Sequence, residues 1–230
     1  MRLLADDTHF ESVTQINKDL ISLNKWSNQW RVLFNPSKTV YMHFTRKSEI
    51  PDHSPLIFNG TALNCVPSHK HLGIYINEKL KWDDHISYII EKVSKRLSNM
   101  RRIQSIVPRF CLENIYKSMI RPIIDYGDVL YPVLPSTQAK RLESLQRQAA
   151  LICTHAYQRT PHLFLLKELG WDDLLKRRMY HCLIIIYKIQ NQLTPNYLTC
   201  LCPETRAQTV RYNLRRETYL NMFYCSYYSF

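Results

Sequence analysis

The chain has 230 residues, of which 45% are hydrophobic and 22% are charged, and its formal net charge is +12. This length allows one sizeable core or two small ones, and the composition is ordinary for a soluble globular protein. The sequence contains no run of about 18 uncharged apolar residues and no basic-then-apolar opening, so neither a membrane span nor a signal peptide is expected.

The positive charge is concentrated in the later part of the chain. Residues 1–90 hold ten basic and nine acidic residues, whereas residues 91–230 hold 21 basic and ten acidic residues, a balance of +11. A field of this sign attracts a polyanion such as nucleic acid. A solvated basic surface without a partner is the alternative.

Seven cysteines show no repeating spacing and no Cys-x-x-Cys pair. An odd number without such spacing argues against a secreted disulfide framework and against a zinc site. We therefore expect an intracellular protein, in the nucleus or the cytoplasm.

The chain opens on a short apolar run that ends in two adjacent carboxylates, Asp6 and Asp7. Burying an unpaired carboxylate is costly, so this pair needs a physical reason. A turn between two strands is one reason, and coordination of a divalent metal ion is another. Residues 3–10 are predicted to form a strand, a turn and a second strand.

An amphipathic helix is predicted over 11–30, because apolar residues recur there every three or four positions. Strands are predicted at 39–44 and at 71–76. The pair Asn59 and Gly60, between two short apolar runs, predicts a hairpin because both residues tolerate a positive φ.

From Asp83 onward the hydrophobic period is that of helices. Asp83 and Asp84 are predicted to cap a helix whose apolar face runs from Ile86 to Ile103. The opposite face carries five cations that are candidate phosphate contacts. They are Lys92, Lys95, Arg96, Arg101 and Arg102. A plain solvated helix face is the alternative.

Further helices are predicted in three places. The first covers 110–120 and continues, after Pro122, over 123–131. Ser136 is predicted to cap the next helix, and Asp172 or Asp173 the last one. The inward residues of that last helix are predicted to be Leu175, Met179, Cys182, Leu183, Ile186 and Ile189.

The segment Leu4-Ala5-Asp6-Asp7-Thr8 resembles the catalytic hairpin of reverse transcriptases, in particular those of jockey-like retrotransposons without long terminal repeats. Each motif of this resemblance is weak alone, but the motifs follow one another in the family's order. They cover roughly residues 2–200. The further matching segments are 26–30, 35–39, 71–76, 80–86, 121–128, 142–147 and 166–171.

The resemblance implies an α+β fold that is the carboxy-terminal piece of such a polymerase. Residues 1–80 would be a partial palm with short antiparallel strands and one helix. Residues 81–203 would form a mainly helical thumb and an adjoining region, and residues 204–230 a loosely ordered tail.

The resemblance also implies roles for single residues. Asp6 would hold the catalytic Mg²⁺ ions and Asp7 would support it. Lys38 would lie near the incoming triphosphate, with a solvated loop lysine as the alternative. Leu72 and Gly73 would form a primer grip that presses on the primer backbone, where glycine permits close approach.

A second acidic segment, Tyr126-Gly127-Asp128-Val129, also looks like a polymerase hairpin but has one acid where two are needed. It lies in the helical part of the chain. Asp125 and Asp128 are therefore predicted to flank a turn or to cap a helix end.

The family's palm also needs an aspartate on a strand before the hairpin, and no aspartate precedes Asp6 here. One carboxylate centre does not hold two Mg²⁺ ions in working geometry. We therefore expect this chain alone to bind an RNA/DNA template–primer duplex but not to polymerise, with the missing polymerase portion as a further candidate partner. A non-enzymatic nucleic-acid-binding module, or a decayed copy of an element, is the alternative.

Overall fold

The structure is a computed structural model that describes residues 9–35, 38–45, 54–132 and 134–201. Within these ranges the chain is mostly helical with a few short two-stranded sheets, which agrees with the predicted α+β class. None of the helices in the described ranges combines the length and the apolar character needed to cross a membrane.

The six described strands lie between the first and the second described helix, and only helical segments follow them. The strands are β1 (Val40–Tyr41), β2 (Ile57–Phe58), β3 (Thr61–Ala62), β4 (Asn64–Cys65), β5 (Ser68–His71) and β6 (Ile74–Asn77). The helices are α1 (His9–Trp30), α2 (Asp83–Ile103), α3 (Arg109–Ile115), α4 (Arg121–Asp125), α5 (Ser136–Thr154), α6 (His162–Leu169) and α7 (Leu174–Gln190).

The first helix begins earlier than predicted. His9 and Phe10 belong to α1, so the predicted second strand over 3–10 is wrong at its end, and residues 3–8 lie outside the described residues. The side chain of Asn17 on α1 bonds both the Pro55 carbonyl, at 3.2 Å, and the Ile57 N–H, at 3.1 Å. These two bonds connect α1 to the start of β2.

The strands are shorter than the sequence predicts. The predicted strand 39–44 is reduced to β1, which pairs in parallel with β4. The predicted hairpin at Asn59 and Gly60 is confirmed, since β2 and β3 pair antiparallel around two residues with φ of 49° and 74°.

The predicted strand 71–76 is wrong in its middle, because the chain reverses there. Ser68–His71 pairs antiparallel with Ile74–Asn77, and Leu72 and Gly73 form the turn between them with φ of 47° and 88°. Two consecutive positive φ values give a turn whose twist matches that of the flanking strands. Gly73 adopts this conformation without cost, whereas Leu72 is strained by about 1 kcal/mol or more.

Replacing Leu72 with asparagine is expected to raise the free energy of unfolding by roughly 0.5–1 kcal/mol, because asparagine tolerates the left-handed conformation. Urea unfolding of Leu72→Asn and the wild type measures this change. The matched control is Leu163→Asn on α6, because Leu163 is 76% exposed and Leu72 is 77% exposed. Leu163 lies in a regular helix, so its replacement is expected to give no gain; an equal gain in both variants would contradict the strain at Leu72.

By its internal contacts the chain divides into two compact units. The first unit comprises the chain up to Ile124 together with Pro135–Ala156, and the second comprises Asp125–Leu134 and the chain from Tyr157 onward. The predicted palm and thumb boundaries at residues 80 and 203 are not defined by this division and stay a prediction.

The core of the first unit lies between α2, α5 and the helical segment that begins with α3. The predicted apolar face of α2 is confirmed, because five of its residues are buried. They are Ile86, Ile89, Val93, Leu97 and Met100. Trp82 occupies the N-cap position, and Asp83 and Asp84 lie in the first turn without a side-chain cap bond, where their charge still favours the helix dipole.

The helix predicted over 110–120 is confirmed, but its last turn is a wide π-turn at Tyr116–Ile120. The Arg121 N–H reaches back five residues to the Tyr116 carbonyl there. The wide turn precedes Pro122, which lacks an N–H and whose ring crowds the preceding turn of a regular helix. The predicted continuation over 123–131 is wrong beyond Asp125, because Gly127 adopts a φ of 71° and ends the helix.

Asp125 ends α4 and Asp128 begins a short 3₁₀ turn, so the prediction that these two acids flank a turn is confirmed. Both carboxylates bind α7 within the second unit. Arg177 donates to Asp125 at 2.5 and 3.3 Å, and Asp128 lies 2.7 Å from the Nδ1 atom of His181. Burial raises the pKa of Asp128 above its usual value, and the His181 bond opposes that rise.

These polar contacts decide which side of α7 faces inward. Asp173 caps α7, as predicted, by accepting the Lys176 N–H at 2.7 Å. The buried residues of α7 are Leu174, Arg178 and Ile189. The predicted inward face is wrong at Leu175, Met179 and Leu183, which are exposed. It is confirmed at Ile189, and Cys182 and Ile186 are partly buried. Ser136, predicted as a cap, is the first residue of α5, and Pro135 holds the N-cap position.

Candidate nucleic-acid interface

The two candidate catalytic residues Asp6 and Asp7 lie outside the described residues, so their roles stay a prediction. No group of three His, Cys, Asp or Glu side chains within the described ranges is arranged to hold a metal ion. The Mg²⁺ expectation therefore rests on the sequence resemblance alone.

Lys38 is exposed. Its backbone N–H donates to the Asn35 carbonyl at 3.1 Å, and the Thr39 hydroxyl donates to the same carbonyl at 3.0 Å. Neither bond involves the Lys38 side chain, and its predicted contact with a triphosphate stays a prediction.

Leu72 and Gly73, the predicted primer grip, form the tip of the hairpin made by β5 and β6. The Leu72 side chain is exposed at this tip. Strained backbone conformations are common at functional sites, so the exposed Leu72 is a candidate for contact with a ligand.

The hairpin packs against the start of α2 through β6. The Tyr75 ring lies 5.2 Å from the Tyr88 ring, and the Tyr75 N–H points at the Nδ1 atom of His85 at 3.5 Å. His85 is buried, and its ring lies 6.4 Å from those of Trp82 and Tyr88. Aromatic contacts therefore fix the direction of the hairpin relative to α2.

Lys70 on β5 and Lys92 on α2 approach the same oxygen atom. The Lys70 Nζ atom lies 3.0 Å and the Lys92 Nζ atom 3.3 Å from the Tyr88 hydroxyl. The Lys70 ammonium also lies 4.1 Å from the Tyr88 ring centre and 5.4 Å from that of Tyr75. We call Lys70, Tyr75, Tyr88 and Lys92 the lysine–tyrosine cluster.

The cluster concentrates positive charge at the surface between two elements. Hydrogen bonds from Lys70 and then Lys92 lower the pKa of the Tyr88 hydroxyl. The bond to Tyr88 raises the pKa of Lys70, so Lys70 stays charged. Two like charges next to one neutral phenol are stabilised by an anion, and phosphate is the anion that ammonium groups commonly bind as point charges.

The predicted basic face of α2 extends from this cluster, and its cations differ in the partners that they contact. Tyr88, Lys92, Lys95 and Arg102 follow one another at steps of three, four or seven, so they lie on one exposed stripe about 21 Å long. Lys95 is 2.5 Å from the Glu91 carboxylate in an exposed pair, which lowers the pKa of Glu91.

The two remaining predicted cations lie away from this stripe. Arg96 donates to the Met119 carbonyl, so its guanidinium is engaged within the first unit. Arg101 is exposed in the last turn of α2, on a different side from Arg102. Their predicted contacts with phosphate stay predictions.

Sequence reasoning missed Lys70 and Tyr88 as members of the site. The sequence feature that points to them is the presence of both basic and aromatic residues in two segments, 69–75 and 82–92. Nothing in the sequence says that Lys70 and Lys92 meet, because the hairpin turn at Leu72 and Gly73 brings them together.

The pH dependence of stability offers a test of this packing. Burial, and secondly the charge of Lys70, lowers the pKa of His85. The unfolded chain then binds a proton at His85 at a pH where the folded chain does not. The stability that this burial of neutral His85 contributes is fully present above the pKa of the unfolded histidine, about 6.5. It is lost as the pH falls below that value towards the lower pKa of His85 in the folded chain.

We expect His85→Phe to lose less stability than the wild type between pH 7 and pH 5, measured as the change in thermal midpoint. The control is His71→Phe, an exposed histidine at the end of β5, which should keep the acid sensitivity of the wild type. An unchanged acid sensitivity in His85→Phe would contradict the burial of a neutral His85.

Comparison with known proteins supplies an independent line of evidence. The "Probable RNA-directed DNA polymerase from transposon BS" of Drosophila melanogaster is 24% identical over 142 residues, which are 60% of this chain and 16% of that protein. The RNA-directed DNA polymerases from mobile element jockey are 24% identical over 139 residues in Drosophila funebris and 28% identical over 133 residues in Drosophila melanogaster. The two jockey alignments cover 59% and 55% of this chain, and 15% and 14% of the relatives.

The aligned part of the chain thus spans about a sixth of the length of the curated relatives that it matches. No protein-family model matches the chain, and no solved structure matches it. These relatives are polymerases of the same kind as the family that the ordered sequence motifs resemble. The chain is a relative of the RNA-directed DNA polymerases of jockey-like retrotransposons without long terminal repeats.

Proposed function

We propose that the chain binds a template–primer duplex of RNA and DNA through the β5–β6 hairpin and the exposed stripe of α2. The observation that carries the proposal is the convergence of Lys70 and Lys92 on the Tyr88 hydroxyl. Two cations from different elements meet there, and among the described residues no carboxylate is a partner of the Tyr88 hydroxyl. Such a site fits the phosphates of a nucleic-acid backbone, which dominate affinity for duplexes.

Under this proposal the hairpin is the primer grip and α2 is the first helix of the thumb. Leu72 and Gly73 form the turn at the tip, beyond the last strand pair His71–Ile74, and the apolar side chain of Leu72 is exposed there. Lys92, Lys95 and Arg102 follow one another along the same side of the helix, where they would contact backbone phosphates. The partial palm over 1–80 and the thumb over 81–203 are the division of the chain that this function implies.

Polymerisation by the chain alone is not part of the proposal. Asp6 and Asp7 would supply carboxylate ligands for Mg²⁺, which stabilises the negative charge that develops in nucleotidyl transfer. One carboxylate centre is too few ligands for two such ions. A nucleic-acid partner also agrees with the nucleus or the cytoplasm as the site of action.

The binding proposal is tested by fluorescence polarisation with a labelled RNA/DNA hybrid duplex and the full chain. If three to five phosphates are contacted, affinity should fall roughly 40- to 500-fold between 50 and 200 mM salt. No binding at 50 mM salt, or an affinity that does not change with salt, would contradict the proposal.

Activity is tested separately by primer extension on an RNA template with Mg²⁺ and nucleotides present. We expect no extension by the chain alone. Extension that is abolished by Asp6→Ala would show that the chain polymerises, and it would overturn this part of the proposal without touching duplex binding.

A further inference from the structure

The second unit has an apolar stripe along α7 that stays exposed within the described residues. Leu175, Met179 and Leu183 are 52%, 42% and 58% exposed, and Cys182 and Ile186 beside them are partly buried. The adjoining side of α7 packs inward through Leu174, Arg178 and Ile189. The apolar surface of the helix is therefore wider than the part that is used for the described packing.

The spacing of the exposed stripe is that of a contact between two helices. Residues 175, 179, 182 and 186 are separated by steps of four, three and four. Such a 4-3-4 pattern forms a seam against a partner helix. The stripe covers 11 residue steps, or about 17 Å of helix.

The charges of α7 are largely engaged within the second unit. Lys176 pairs with Asp172 and Arg177 with Asp125, and Arg178 is buried. The exposed stripe is therefore mainly an apolar surface, and a partner with an apolar face fits it.

The chain itself contains such a partner after the described residues. Residues 219–230 carry no charged side chain, and eight of the twelve are large apolar or aromatic residues. Among them, Leu220, Phe223, Tyr224 and Tyr227 recur at steps of three, one and three, which is the spacing of one helix face.

The connection between the two surfaces is long enough. The described chain reaches Leu201 in a 3₁₀ segment, Asn196–Leu201, that contacts α7. Seventeen residues lie between Leu201 and Tyr219. Seventeen residues of random coil have an end-to-end distance of roughly 21–25 Å, and a tether of that length gives a local concentration in the millimolar range.

We propose that residues 219–230 dock on the exposed stripe of α7 in the same molecule. The docked segment covers Leu175, Met179 and Leu183 with its own apolar face. This proposal replaces the expectation of a loosely ordered tail for these twelve residues. It does not depend on the nucleic-acid proposal.

Two cysteines allow a direct test. Cys182 lies near the middle of the stripe and Cys225 near the middle of residues 219–230, so docking brings them together in either direction of the segment. A bismaleimide reagent that spans about 10 Å, the distance between packed helices, should link Cys182 to Cys225 in the full chain. Digestion and mass spectrometry identify the linked peptides.

The matched variants are Leu183→Glu on the stripe and Leu163→Glu on α6, since both leucines are exposed and both changes add one negative charge. The intramolecular link, and the protection of residues 219–230 from hydrogen exchange, should be lost in Leu183→Glu and kept in Leu163→Glu. A link that is absent from the wild type, unchanged in Leu183→Glu, or formed between two molecules would overturn the proposal.

Discussion

Replacing Lys70 and Lys92 together with glutamine is expected to weaken duplex binding on the order of tenfold and to reduce the salt slope by about one, because one phosphate contact is lost. Both ammonium groups lie within hydrogen-bonding distance of the Tyr88 hydroxyl, so a backbone phosphate at this position meets two charges at once. The loss should be similar for duplexes of different sequence, because phosphate contacts carry no base information.

The control for this variant has the same change in net charge at a different place. Lys167 on α6 and Lys188 on α7 are exposed lysines of the second unit. The double variant Lys167→Gln and Lys188→Gln should keep the wild-type affinity and salt slope to within a factor of about two. Equal losses in both double variants would mean that net charge alone, and not the lysine–tyrosine cluster, determines binding.

The largest effect on stability is expected at Leu97, in the middle of the buried face of α2. Its side chain is fully buried in the core of the first unit. Leu97→Ala removes three carbon atoms and leaves a cavity, which typically costs about 2–5 kcal/mol. Because α2 carries Tyr88 and Lys92, this variant should also lose duplex binding at temperatures where it begins to unfold.

Chemical denaturation of Leu97→Ala measures this cost. The control is Ser98→Ala, the next residue of the helix, which is exposed and should change stability by less than about 0.5 kcal/mol. A cost below about 1 kcal/mol at Leu97 would mean that α2 does not pack as the structure has it.

The elements with one strong, regular signal were predicted well from the sequence. The buried face of α2 follows a single apolar stripe from Ile86 to Met100, and no second face competes with it. The hairpin at Asn59 and Gly60 was predicted because both residues accept the positive φ that the turn needs. In both places, local preference and tertiary packing favour the same conformation.

The errors occurred where tertiary contacts select between local alternatives. Leucine is not typical of left-handed turns, so the sequence predicts a continuous strand at Leu72, where the chain in fact reverses. On α7 the apolar surface is wider than the part that packs inward, and the contacts of Arg177 and His181 with Asp125 and Asp128 orient the helix. Periodicity alone does not choose which part of such a surface is buried.

The candidate site was predicted in part for the same reason. Lys92 and the other cations of α2 were visible as the polar face of a strong amphipathic helix. Lys70 and Tyr88 lie 18 residues apart, and their contact depends on how the hairpin packs on α2. A single sequence does not show how the hairpin packs on α2, so it does not show that Lys70 contacts Tyr88.

Chemical footprinting of lysines on the full chain tests the proposed interface most directly. The chain is acetylated briefly with and without an RNA/DNA hybrid duplex at low salt, and the modification of each lysine is measured by mass spectrometry. We expect the duplex to reduce the reactivity of Lys70 and Lys92 severalfold and to leave Lys167 and Lys188 unchanged. Protection of Lys167 and Lys188 with none at Lys70 and Lys92 would contradict the account.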